Sequence, residues 1–132
     1  MNGTLHGNPV AAAATLATLD ELAMPGTYDR LDAATIDFCA EAQTILDRHN
    51  VPAIAANVGS LWQFLFMAHP PRSQADVMAG DASAMRRLDT EMIRRGQYML
   101  PGVRRFMSCV HTEAEISETL AALDAACRSI EP

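Results

Sequence analysis

From His49 to Pro71 the chain carries no Lys, Arg, Asp or Glu, and no other feature limits its fold as strongly. The stretch is long enough to cross a bilayer, yet Pro52, Asn57, Gly59, Ser60 and Gln63 interrupt it. It therefore reads as a buried hairpin rather than a membrane span. Ala53 to Val58 and Leu61 to Met67 are the strands, rich in β-branched and aromatic residues, and Gly59-Ser60 is the two-residue turn between them. Uncharged strands must be covered, and the flanking segments have the periodicity of helices.

Asn8-Pro9 is a helix start, because the Asn side chain caps free N–H groups and the fixed φ of proline suits the first helical position. The helix it predicts runs from about Pro9 to Ala23, with Leu16, Leu19 and Leu22 on one face and Val10, Ala13, Ala14 and Ala17 on another. The alanine face has two readings. Either alanine is there as the best helix former, or it lies against protein outside this sequence. Pro25-Gly26 breaks the chain. A second helix then runs from Thr27 to about His49, with a stripe of Tyr28, Leu31, Thr35, Phe38, Cys39, Ala42, Ile45 and Leu46. The segment from Pro70-Pro71 to about Asp81, and Arg72 to Gly80 in particular, lacks a clear period and reads as a loop.

A third helix is expected to Arg95, capped by Asp81 or Ser83 and stopped by Gly96, with Met85, Leu88 and Met92 inward. Gln97 to Leu100 and Arg105 to Val110 read as short strands around Pro101-Gly102. Thr112 and Glu115 form a capping box for a last helix striped by Ile116, Thr119, Leu120, Leu123, Ala126, Cys127 and Ile130. The order ααββαββα, with short connections, predicts an α+β fold: a small, mostly antiparallel β-sheet with helices packed on one face, as a single domain over 1–132.

The 132 residues hold ten basic side chains against 16 acidic, a net charge of −6, and all ten bases are arginine. Without lysine the chain has no side-chain amine for a Schiff base. The acidic balance argues against nucleic acid as a partner. Three cysteines, Cys39, Cys109 and Cys127, without CxxC spacing suggest reduced thiols in a cytoplasmic protein, and no basic residue precedes Arg30 to lead a secretory signal. The scattered histidines and cysteines do not predict a metal site.

Charge is uneven along the chain. Residues 11 to 47 hold seven acids and one arginine, whereas Arg86, Arg87, Arg94, Arg95, Arg104 and Arg105 stand against only Asp89 and Glu91. One reading is a solvated surface. The other is that Arg104 or Arg105 directs its planar fork at a substrate carboxylate. Cys109 and His111 share a strand side if the strand extends that far, a faint nucleophile pattern without a third member. At the start, Gly3-Thr4-Leu5-His6-Gly7-Asn8-Pro9 resembles half of a phosphate site, two glycines and a hydroxyl before a helix N-terminus. A frayed terminus is the plainer explanation.

That opening, with the alanine-rich helix ending Thr18-Leu19-Asp20-Glu21-Leu22, is similar to the C-terminal segment of class III aminotransferases, and most of all to glutamate-1-semialdehyde 2,1-aminomutases. The resemblance continues through Pro25-Gly26-Thr27-Tyr28-Asp29-Arg30-Leu31, Val58-Gly59-Ser60-Leu61-Trp62-Gln63-Phe64, Arg95-Gly96 and Ser108-Cys109-Val110-His111-Thr112. It covers essentially the whole chain but only about the last third of such an enzyme.

The resemblance implies a homodimeric enzyme dependent on pyridoxal 5′-phosphate, whose large domain carries the Schiff-base lysine. It maps a cofactor-phosphate contact onto Thr4, makes residues 1–8 a remnant of the phosphate loop and makes 9–23 a connecting helix. It assigns no catalytic residue to this chain, which would be incomplete without the large domain and bind no cofactor alone. The aminomutases have Ser-x-Phe/Tyr-Glu before Ser-x-x-His, whereas this chain has Leu100-Pro101-Gly102-Val103-Arg104-Arg105-Phe106. The departure leans toward an aminotransferase-like relative acting on a carboxylate-bearing amine or oxo acid, with Arg104 and Arg105 as substrate-binding residues. The alternative is a stand-alone, non-catalytic dimeric module derived from that domain.

Overall fold

The computed structural model describes residues 7–130, which divide into two units after Arg30. In the first, the expected cap forms: the Asn8 side chain accepts from the N–H groups of Val10 at 2.9 Å and Ala11 at 3.3 Å, and helix α1 (Pro9–Leu22) follows. No residue of α1 is buried, and Val10, Leu16 and Leu19 are all exposed. Gly26, at φ +77°, turns the chain into α2 (Thr27–Arg48).

The second unit holds the rest of α2 and a three-stranded antiparallel sheet in the order β1 (Ile54–Val58), β2 (Leu61–Leu65), β3 (Arg105–Phe106). The expected hairpin forms with Asn57 opposite Trp62 and Val58 opposite Leu61 around Gly59-Ser60. The alternation of β2 sends Trp62 and Phe64 inward. There they meet Phe38, Ala42 and Leu46 of α2, Leu88 and Met92 of α4 (Ala82–Arg94), and Leu120, Leu123 and Cys127 of α5 (Glu113–Ile130). Each fully buried large side chain contributes about 1.5–3 kcal/mol. On α2 the buried positions follow the predicted stripe, except that Tyr28 is exposed and Thr27 is buried. Among the described residues no helix is long and apolar enough to cross a membrane.

Three expectations are corrected. The segment 72–81 contains a helix, α3 (Gln74–Ala79), because Ser73 and Asp76 form a capping box that nucleates a turn and a half where no apolar period exists. Gln97 to Leu100 is not a strand, since its hydrogen bonds run elsewhere: the Gln97 N–H donates to Met92 O, the Gln97 side chain accepts from Thr119, and the Met99 sulfur accepts from Arg105. The last strand stops at Phe106. Beyond it the Met107 N–H donates to Ser60 O, and the chain turns so that the His111 N–H reaches Ser108 O. The order is therefore ααββααβα, still α+β.

β1 is an outer strand, and α2 covers part of its open edge. The Gln43 side-chain amide accepts from the Ala55 N–H at 2.9 Å and donates to Ala53 O at 3.2 Å, the pair of bonds a neighbouring strand would make. Gln43→Ala leaves both groups unsatisfied and opens the edge to pairing between molecules. Urea unfolding of this variant is expected to show a loss of about 1–3 kcal/mol, with light scattering reporting self-association. Unchanged stability and a monomeric variant would contradict the role given to Gln43.

Candidate ligand-recognition site

The strongest electrostatic feature of the second unit is a carboxylate on the inward stripe of a helix. Asp89 lies between Leu88 and Met92 in α4 and is fully buried. A buried charge requires a partner and full hydrogen bonding. Asp89 obtains both from the chain that follows: Oδ1 accepts from Arg105 Nη2, and Oδ2 accepts from the Gly102 N–H at 2.7 Å. Arg105, also buried, donates through Nε to the Met99 sulfur at 3.2 Å, and its guanidinium carbon lies 5.1 Å from the Trp62 ring centre and 5.6 Å from that of Phe64. The rings' π-faces attract the cation that Asp89 holds over them. Arg105 Nη1 has no hydrogen-bond partner in the structure.

Burial pushes the Asp89 carboxyl above its ordinary value, against the pull of the Arg105 charge and the Gly102 N–H. Burial likewise lowers Arg105, against the attraction of Asp89. The pair is thus held by geometry at a desolvation cost, and removing one member strands the other.

These bonds fix the loop between α4 and β3 at Met99, Gly102 and Arg105. Pro101-Gly102 has the residues of a type II turn, and Gly102 takes the positive φ, +76°, that the second central position requires. What the clamp leaves outside is Tyr98, Leu100, Val103 and Arg104, all exposed. Arg104 makes no hydrogen bond or ion pair among the described residues. Beside the loop is a cavity of about 560 Å³. Phe38, Trp62, Met99, Met107 and Ile116 line it, with Tyr98, Leu100 and Phe106 at the exposed margin. On the α5 side, His111 Nδ1 lies 3.2 Å from the Ser108 N–H and 3.3 Å from the Met107 sulfur. Glu115 accepts from the Thr112 N–H at 2.7 Å and from its hydroxyl, which holds the Glu115 carboxyl below its usual range. The capping box is therefore present with one change: the Thr112 hydroxyl accepts from Ala114 rather than from Glu115.

Of the residues singled out from the sequence, Arg104 and Arg105 both line this cavity, one free and one engaged. Thr4 lies outside the described residues. Cys109 is exposed in a turn rather than on a strand with His111, and burial pushes the Cys39 thiol up to about 11. No group of three or more His, Cys, Asp or Glu among the described residues could hold a metal. Asp89 was not singled out, although its position on the Met85, Leu88, Met92 stripe was a signal: a carboxylate facing a core implies a cation facing it. The chain contains no lysine, so its residues do not fit the covalent attachment of an aldehyde cofactor.

Two solved transaminase structures share this architecture. The chain superimposes on a segment of an omega-transaminase from Sphaerobacter thermophilus with a TM-score of 0.77 at 22% identity, covering 97% of this chain and 30% of that one. A transaminase with pyridoxal phosphate bound gives 0.76 at 20% identity, over 98% and 29%. At the sequence level the chain is related to glutamate-1-semialdehyde 2,1-aminomutases: 36% identity to that of Nitrosomonas europaea over 124 residues, 37% to that of Dechloromonas aromatica over 125, and 39% to that of Nitrosospira multiformis over 121. These matches cover at least 90% of this chain but only 28–29% of the relatives' length. The chain is thus homologous to a domain-sized segment of those aminomutases. No protein-family model matches it.

Asp89→Ala, which leaves the Arg105 charge buried and unpaired, is expected to lower unfolding free energy in urea by about 3–5 kcal/mol. The double variant Asp89→Leu, Arg105→Met removes both charges and should be distinctly more stable than Asp89→Ala. Additive losses across Asp89→Leu, Arg105→Met and their double variant would mean the two side chains do not act as a pair.

Proposed function

We propose that the chain serves as the small, C-terminal domain of a pyridoxal-phosphate-dependent aminotransferase or aminomutase, supplying substrate recognition while a large domain supplies the lysine and most cofactor contacts. The observation that carries this reading is the aminomutase match over at least 90% of a chain that contains no lysine. In this reading residues 1–8 belong to the phosphate loop with Thr4 toward the cofactor phosphate, and 9–23 form the connecting helix. The enzyme would work as a cytoplasmic homodimer.

Arg104 is the residue we assign to the substrate carboxylate. Its guanidinium is exposed and uncommitted, and a planar fork pairs with a carboxylate through two parallel bonds. Arg105, engaged with Asp89, holds the loop behind it. With Arg104 uncommitted and no glutamate at Leu100–Phe106, the segment suits an amine or oxo acid bearing a carboxylate and favours transamination of such a substrate over the aminomutase reaction.

The test is a chimaera in which this chain replaces the matching segment of the Nitrosomonas europaea aminomutase. Pyridoxal-phosphate-dependent turnover of a carboxylate-bearing amine is expected from the chimaera and none from the 132-residue chain alone. Arg104→Gln in the chimaera should lower kcat/KM about 10- to 100-fold for that amine, the loss of a charge-assisted pair, and leave an uncharged amine unaffected. Turnover by the chain alone would overturn the proposal, as would a folded, cofactor-loaded chimaera without transamination.

A further inference from the structure

We infer that the cavity beside Arg104 receives the apolar arm of a monocarboxylate, so that the substrates are amino or oxo acids with one carboxylate and a hydrophobic side chain of about the size of an aryl group. This rests on the assignment of Arg104 to the substrate carboxylate. The space is far larger than a carboxylate needs: about 560 Å³, within the range of sites that take small organic molecules. Its walls are apolar, with Trp62 and Phe38 from the core and the thioethers of Met99 and Met107, groups that pack well against a ring.

The charged groups decide the ligand's charge. Arg105 is committed to Asp89, and Glu115 is committed to its cap at Thr112. Arg105 Nη1 keeps an unpaired N–H, but the charge of Arg105 is balanced by Asp89, so Arg104 is the one arginine of the lining whose charge no carboxylate balances among the described residues. A second carboxylate would find no second arginine with an unbalanced charge, since Arg105 is paired with Asp89, would approach Glu115, and would enter a chain of net charge −6. A dicarboxylate or a phosphate ester therefore fits worse than a single carboxylate joined to an apolar group.

Trp62 is the sole tryptophan and lines the cavity, so its fluorescence reports occupancy directly. The chain is titrated with 3-phenylpropionate, with the neutral 3-phenylpropanol and with glutarate. We expect a saturable change with 3-phenylpropionate and a Kd about tenfold weaker for the alcohol, one charge-assisted contact in free energy, with no response to glutarate over the same range. Arg104→Gln, a change at an exposed position whose fold is checked by circular dichroism, should bring the acid down to the level of the alcohol. Glutarate binding as tightly as 3-phenylpropionate, with both weakened by Arg104→Gln, would overturn the substrate class and leave the carboxylate assignment standing. Undiminished binding of the acid to Arg104→Gln would overturn both. No saturable response to any of the three would overturn the cavity as a binding site, while the chimaera tests the domain assignment independently.

Discussion

The second unit is organised around a buried ion pair. Asp89 sits where the stripe of α4 would ordinarily place leucine or methionine, and the cost of that choice is met only if Arg105 and the Gly102 N–H come to it. That requirement closes the Pro101-Gly102 turn, anchors β3 beside β2, and lays a guanidinium over Trp62 and Phe64. Hydrophobic residues at both 89 and 105 would pack as well or better. What the pair adds is specification: it fixes which residues of the loop are held inside and which are presented outside.

Most of the fold was legible because it follows from periodicity. The uncharged His49–Pro71 stretch is a hairpin, the α2 stripe is its own core face, and the Asn8 and Asp81 caps stand where short polar side chains precede helical runs. The failures came where local geometry rather than periodicity decides. α3 is too short to show an amphipathic period and is set by the Ser73–Asp76 box alone. Gln97 to Leu100 has a strand-like composition, but contacts with α4, α5 and Arg105 place it: the Gln97 N–H, the Gln97 side chain and the Met99 sulfur bond to these and not to a neighbouring strand.

The site was half legible. An arginine pair in a loop that lacks glutamate pointed to a carboxylate, yet adjacent arginines in one sequence look alike. Only the structure separates them, with Arg105 buried on Asp89 and Arg104 turned out to solvent. Two neighbouring residues of one type thus have unlike surroundings, one held inside as scaffold and one left free outside. The division suits the proposed role, recognition of a substrate for chemistry whose reactive amine this chain does not contain.

The central claim is that Asp89 holds in place the loop that presents Arg104. Native-state amide hydrogen exchange at Gly102 reads this most directly, because that N–H donates to the Asp89 carboxylate. The account predicts that the Gly102 amide exchanges as slowly as core amides of α4 and becomes fast in Asp89→Asn while the α4 amides stay protected. A Gly102 amide that exchanges at the rate of an unstructured peptide in the unaltered protein would contradict it.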